Sequence, residues 1–296
     1  MNRKVATFTM DQFTLEYSII GEGEPILLFH GGHSNCSEEF GYNALVEAGF
    51  SIITPSRAGY GKTSQQIGEN LATACEHYKK LLDYLQIEQV HVLAISAGGP
   101  SGIYFAAHYP EYVRTLTLQS AVTKEWLTPK DMEYKAARVL FHPKTEKYTW
   151  KMIATMNNIF PGFIFRQMFP SFSLLKFRDA KAKFSETDVE EIRKMNNRQR
   201  SGHGFFIDLE QVNTITTEDL HAVKCPTLIM HSKHDGSVPP EHPELAHKLI
   251  SSSELHIVDS WGHLIWLGNT ARETDRILIN FLKKQAGGNF AETISN

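Results

Sequence analysis

VHVLAISAGGP, residues 90–100, carries a mostly apolar run into Ser96, then into small residues and a proline. A short run that is apolar at nearly every position reads as a strand covered on both faces, because a half-exposed strand would alternate. Pro100 suits the first turn of a helix, where its missing N–H costs little. Between strand and helix the chain must turn tightly, and Ala94, Gly98 and Gly99 are small enough for the two elements to approach. Ser96 stands within that tight strand-to-helix turn.

The alternation of strand-like and helical segments extends in both directions and argues for parallel βαβ units. PILLFH (25–30), SIITP (51–55), TLTLQS (115–120), TLIMH (227–231) and LHIVD (255–259) are further strands. VATFTM (5–10) and FTLEYSII (13–20) flank Asp11-Gln12 and read as an opening hairpin on a half-exposed edge. Leu71, Cys75, Tyr78, Leu82 and Leu85 recur at three- and four-residue steps, which gives one helix an apolar face for the sheet. Pro110 closes the helix that Pro100 opens.

This regularity stops after Ser120 and resumes near Cys225. The intervening stretch is too long for a structureless loop in a compact domain. Residues 132–139, 148–159 and 187–198 are helical in pattern. The expectation is a helical cap over 123–218, inserted into a core made of 1–122 and 219–285. The cap holds ten of the chain's eighteen phenylalanines, including Phe160, Phe163, Phe165, Phe169 and Phe172. Such rings either line an apolar pocket beneath the cap or form the cap's own core. The tail, 286–296, lacks periodicity and is expected to be disordered.

Composition narrows the function classes. With 42% apolar and 21% charged residues the chain is globular in character, and 296 residues can bury a sizeable core. A net charge of −3 and a pI near 6.5 lack the basic footprint that nucleic acid requires. No polybasic segment addresses an anionic membrane, and no window is long and apolar enough for a membrane span. The first residues, MNRKVATFTMDQF, alternate where a signal peptide needs an unbroken apolar run, so a cytoplasmic protein is expected. Cys36, Cys75 and Cys225 are too few and too far apart for a disulfide framework or a paired-cysteine zinc site, and read as free thiols. Nothing in the sequence sets an oligomeric state.

The turn at Ser96 resembles the nucleophile elbow of the α/β-hydrolase superfamily, commonly G-x-S-x-G. Here it reads A-I-S-A-G, with Ala94 in place of the first glycine. His30-Gly31-Gly32-His33 resembles the superfamily's HG-type loop after the third strand. The resemblance implies that the N–H groups of Gly32 and Ala97 point at a developing oxyanion. Such donors matter because the charge exists only in the transition state; losing one has cost roughly 3 kcal/mol in another hydrolase.

A serine hydroxyl needs a base, and the base needs an orienting partner. Fourteen histidines compete, and the superfamily's order of Ser, then Asp or Glu, then His chooses among them. TLIMHSKHDGSVPP (227–240) resembles its acid segment, which implies Asp235 as the acid. LHIVDSWGHLIW (255–266) resembles its last-strand segment, which implies His263 as the base. Asp259 is a rival acid, although a carboxylate ending the same strand reads more simply as a turn or capping residue. His231 and His234 flank the acid and read as satisfied loop histidines, and His33 is expected to line the pocket next to the oxyanion loop. Gln119 and Ser120 occupy the superfamily's other acid position, which favours Asp235.

SRAGYGKTS (56–64) resembles the D-x-x-G-x-G-x-S turn after the fourth strand, with Ser56 where Asp is common. Gly61-Lys62-Thr63 is not a P-loop, because Ser56 stands where the first glycine is required. Gly21-Glu22-Gly23 lacks the third glycine of a dinucleotide motif, since Ile26 holds that place. HSKHD is spaced H-x-x-H-D, and no H-E-x-x-H is present, so neither a metal nor another cofactor is expected.

The resemblance therefore implies an α/β-hydrolase fold, a mostly parallel sheet flanked by helices, and acyl transfer to water through Ser96, His263 and Asp235. Ser96 stands where dehalogenases and epoxide hydrolases of this fold carry Asp, and the elbow lacks the G-G-S-W-G-S pattern of proline iminopeptidases. A small, fairly apolar carboxylic ester or lactone is the expected substrate. A ligand sensor with slow turnover, carbon–carbon bond hydrolysis and a metallohydrolase are the alternatives.

Overall fold

A computed structural model describes residues 2–286 except Asp11, Phe40 and Val212. The expected Asp11-Gln12 turn therefore lies partly outside the described residues, and the expected disorder of the tail almost wholly so. Eight strands form one sheet: β1 (Lys4–Met10), β2 (Phe13–Ile20), β3 (Glu24–Phe29), β4 (Phe50–Pro55), β5 (Val90–Ile95), β6 (Val113–Gln119), β7 (Thr227–Ser232) and β8 (Ser253–Val258). Their spatial order is β1-β2-β4-β3-β5-β6-β7-β8. β1 and β2 pair antiparallel, as do β2 and β4, and all other pairings are parallel.

The central strands alternate between two cores. Val92 and Ala94 of β5, with Leu27 and Phe29 of β3, face one cluster, while Leu93 and Ile95, with Ile26 and Leu28, face the other. Burial on both sides explains why these strands are apolar at nearly every position. α1 (Tyr42–Glu47), α2 (Leu71–Tyr84) and α3 (Gly99–His108) belong to the crossovers between strands. Pro100 sits in the first turn of α3, and Pro110 begins the short 3-10 turn that follows it.

Between β6 and β7 lie α4 (Met132–Leu140), α5 (Glu146–Ile159), α6 (Pro161–Phe172), α7 (Phe177–Ala180), α8 (Asp188–Arg198), α9 (Gly204–Gln211) and α10 (Thr217–Ala222). α5, α6 and α8 pack on one another, whereas α10 packs on α3 of the sheet layer. The chain ends with α11 (Glu241–Leu249) and α12 (Ala271–Ala286). No helix among the described residues is long and apolar enough to cross a membrane.

β3 is flanked by β4 on one side and by β5 on the other, so the chain reverses its direction of travel across the sheet there. In open α/β sheets, ligands bind outside the carboxyl ends of the strands at such a switch point.

Candidate active site

Ser96 follows β5 directly and has φ +52°, a left-handed conformation rare for a residue with a side chain. Crowding enforces the turn: a Cβ on Gly98 would lie 2.3 Å from the Phe29 carbonyl oxygen. On α3, a Cβ at Gly102 would lie 2.4 Å from that of Ala94. Ala94 is tolerated in place of the superfamily's glycine because the facing helix supplies the glycine instead. A mid-helix glycine costs about 1 kcal/mol relative to alanine, and close strand–helix packing offsets that cost.

Ala97 lies at the start of the turn entering α3, where backbone N–H groups have no preceding helical acceptor and the helix dipole favours negative charge. Gly31 and Gly32 follow β3. A Cβ on Gly31 would sit 3.8 Å from Ser96 Oγ, and one on Gly32 would sit 3.9 Å from Ala97 Cβ. The two expected oxyanion residues are thus neighbours beside Ser96.

Asp235, after β7, and His263, after β8, complete a continuous chain of bonds. Ser96 Oγ lies 2.9 Å from His263 Nε2, and His263 Nδ1 lies 2.8 Å from Asp235 Oδ2. A carboxylate only accepts, so Nδ1 carries the proton and donates to Asp235, which leaves Nε2 to accept from the serine hydroxyl. Asp235 is 2% exposed. Its Oδ1 accepts the N–H groups of Ser237 and Val238, each at 2.8 Å. Burial pushes its pKa up, but His263, His231 and the Val238 N–H outweigh burial and hold it below the usual carboxylate value.

Of the rival residues, Asp259 and His234 lie apart from this chain of bonds, whereas His231 Nε2 lies 3.3 Å from Asp235 Oδ2. Asp259 is 53% exposed and pairs with Lys183 and Lys233, which hold its pKa down to about 2. His234 points at that same carboxylate, 3.2 Å away. His231 is buried and donates to the Val238 carbonyl at 2.9 Å. Ser120 donates to the His263 carbonyl at 2.8 Å, and Gln119 lies against Met230. No three His, Cys, Asp or Glu side chains converge as a metal site among the described residues.

His33 lies in an aromatic box made by Phe141, Trp150 and Phe205, with Nδ1 2.8 Å from Ser201 Oγ. Burial among these rings lowers its pKa to about 3, so it is neutral at ordinary pH. Phe205 also approaches Gly32: a Cβ there would be 3.8 Å from the ring. The other phenylalanines divide. Phe165 and Phe169 pack with Phe177, Phe184 and Trp261 into a separate core, whereas Phe160 and Phe163 are exposed. Most of these rings therefore pack on one another or face solvent, whereas Phe205 and Phe141 lie against the loop of residues 30–33.

Two buried networks behind the site were not anticipated. Ser56 stands where the superfamily pattern has Asp, and Glu16 of β2 supplies the missing carboxylate. It accepts the Ser56 hydroxyl at 2.8 Å and the Lys62 N–H at 3.1 Å. Arg57, from the same turn, makes a two-pronged ion pair with Asp208 of α9, and both are almost fully buried. The Tyr60 hydroxyl donates to the same carboxylate at 2.6 Å. The guanidinium also donates to the His30 carbonyl at 2.7 Å and to the Gly31 carbonyl at 3.2 Å. Asp208 thereby steadies the loop that carries Gly32. A lone acid within the apolar run Phe205-Phe206-Ile207-Asp208-Leu209 was the available signal.

Comparisons with known proteins agree with this architecture. The family model described as alpha/beta hydrolase fold matches residues 24–270. An uncharacterized hydrolase, YcgS, of Bacillus subtilis (strain 168) is 60% identical, covering 96% of this chain and all of that protein. The 2-hydroxy-6-oxo-6-phenylhexa-2,4-dienoate hydrolase of Comamonas testosteroni is 25% identical over 95% of this chain and 96% of its own. An alpha/beta hydrolase fold protein from Nakamurella multipartita superimposes with a TM-score of 0.81 at 26% identity, over 96% of this chain and 100% of that one. The chain belongs to the alpha/beta hydrolase fold family.

Proposed function

We propose that the protein is a serine hydrolase that cleaves a small, fairly apolar carboxylic ester or lactone. The observation that carries this reading is the unbroken chain from Asp235 through His263 to Ser96, on a serine held at positive φ. Ser96 Oγ attacks the carbonyl carbon while His263 Nε2 takes its proton, and Asp235 stabilises the imidazolium that forms. The carbonyl oxygen gains charge between the N–H groups of Gly32 and Ala97. Collapse expels the alcohol, protonated by His263, and leaves an acyl-enzyme. Water then attacks the acyl carbon, with the same histidine as base, and the acid and free Ser96 are released. The 123–218 insertion covers the site as a cap, with Phe205 as an apolar wall beside the oxyanion loop. No step requires a cofactor.

The test is labelling with a fluorophosphonate, mapped by peptide mass spectrometry, alongside a panel of short-chain p-nitrophenyl esters. A single adduct on Ser96 is expected, and Ser96→Ala should lower kcat by at least about four orders of magnitude. Activity abolished by EDTA and restored by zinc, with Ser96 unlabelled, would replace this mechanism with a metal-assisted one.

The likeness to the Comamonas dienoate hydrolase supports a second reading, carbon–carbon bond hydrolysis by the same residues. Turnover of a vinylogous 1,5-diketone in preference to every ester would establish it. Binding without appreciable turnover of either class would mark a ligand sensor.

A further inference from the structure

The acid and base loops leave different strands, yet both are bonded to one short segment of the helical insertion. The carbonyl of Phe172, the last residue of α6, accepts the Gly236 N–H at 3.1 Å and the His263 N–H at 2.8 Å. One residue on, Ser173 bridges antiparallel to Asp235, and its hydroxyl donates to the Trp261 carbonyl. The Leu174 N–H donates to the His234 carbonyl at 3.0 Å, and the Ser237 hydroxyl donates to the Ser171 carbonyl at 2.6 Å. Upstream, Phe165 and Phe169 anchor α6 in the same cluster as Trp261 and Leu264, the residues on either side of Gly262-His263.

Two glycines make the approach possible. A Cβ on Gly236 would fall 2.7 Å from the Ser173 nitrogen, and one on Gly262 would fall 2.4 Å from the Phe172 oxygen. Neither glycine has a positive φ, so closeness to this segment, rather than backbone conformation, is what excludes a side chain there.

We propose that residues 171–174 form a strap that positions the reaction machinery: the Phe172 carbonyl fixes the spacing of the Asp235 and His263 loops. The inference rests on the serine-hydrolase reading, because it assigns the strap's purpose to the Asp235–His263 bond. The insertion then takes part in assembling the triad as well as covering it. A bond of this kind is sensitive to small displacements, since a misplacement of about 1 Å can cost a hundredfold in rate.

Gly262→Ala tests the strap, because the new methyl must push the base loop and Phe172 apart. The expected result is a kcat at least tenfold lower with KM within twofold of wild type. In parallel, the far-downfield proton resonance of His263 Nδ1–H should shift upfield or broaden. Leu81→Ala, a core change in α2 remote from the site, serves as the stability control, with a lower Tm and an unchanged kcat. Should Gly262→Ala fail to fold, Ser173→Ala carries the same readouts, with a kcat loss of about threefold expected from removing the hydroxyl's hold on Trp261. Wild-type kcat and an unmoved resonance in a folded strap variant would overturn the proposal. So would a kcat loss no larger than that of Leu81→Ala at matched Tm. Failure of the hydrolase reading looks different: wild-type Ser96 takes no fluorophosphonate, and the strap loses its assigned role with it.

Discussion

Ser96 and the insertion are brought to the same place by different physics. Around Ser96 the determinants are steric: Gly98 against the Phe29 carbonyl, and Gly102 against the Ala94 methyl. The insertion is joined to the core by apolar packing, Phe165 and Phe169 with Trp261, and also by polar bonds between residues far apart in sequence, Arg57 with Asp208 and Phe172 with His263. Steric packing at the end of a strand sets position without titrating or exchanging partners. Buried polar ties hold equally well when complete, but become costly when one partner is lost. The core loops should therefore fail in chemistry when their side chains change, whereas the insertion should fail in stability and alignment together.

The largest effect should come from the core side. Asp235→Asn is expected to fold and yet lose most of its kcat, by at least tenfold and up to about four orders of magnitude, because an amide neither fixes the histidine tautomer nor stabilises the imidazolium. Asp259→Asn removes only exposed ion pairs and should leave kcat within about twofold, since exposed pairs contribute about 1 kcal/mol or less. Steady-state kinetics at matched thermal stability separates the two. A larger kcat loss for Asp259→Asn would move the acid to the end of β8 and undo the division drawn above.

On the insertion side, Asp208→Asn leaves the buried Arg57 without its counter-charge. Breaking a buried pair in this way costs about 3–5 kcal/mol, which corresponds to a Tm lower by roughly 10 °C. Because Arg57 also holds the His30 and Gly31 carbonyls, kcat should fall about tenfold with KM little changed. Calorimetry and kinetics on the same preparation check both. If Tm falls while kcat holds, Asp208 is a structural tie only and the oxyanion loop stands without it.

This contrast also explains what could be read from the sequence. Each quoted strand run matches an observed strand to within a few residues, and the helical segments at 132–139, 148–159 and 187–198 match α4, α5 and α8. These elements depend on local periodicity, which a sequence carries. Ser96, Asp235 and His263 were legible because each follows a strand in a recognisable context, and the structure brings them into hydrogen-bonding distance. Glu16, the partner of Asp208 and the role of the Phe172 carbonyl were not legible. Glu16 acts on a turn 40 residues away and Asp208 on an arginine 151 residues away, and the strap acts through backbone atoms that any residue possesses. Gly102 was missed for a related reason: its role is a distance to Ala94 across a helix–strand contact, and no pattern of residue types encodes that.

A pH-dependent stability change in the core, remote from catalysis, gives the smallest and most discriminating test. Asp275 of α12 is partly buried, with its carboxyl next to the Gly41 turn. Burial pushes its pKa from 3.8 up to about 6. The folded state therefore keeps a proton that the unfolded state has released between about pH 4 and pH 6. Its contribution is most favourable below pH 4 and is lost as pH rises through 6, after which a half-buried carboxylate must be tolerated. A shift of this size on a fully buried group would be worth about 3 kcal/mol, and solvent access reduces it to about 1. Asp275→Asn cannot ionise, so it should raise Tm by roughly 2–4 °C at pH 8 and by nothing measurable at pH 4, with kcat unchanged at both. Thermal scans across pH 4–8 read the difference directly. A gain that is equal at both ends of the range would mean that packing rather than ionisation limits this position. A change in kcat would mean that α12 reaches the site, and the separation between a steric core and a polar-tied insertion would need redrawing.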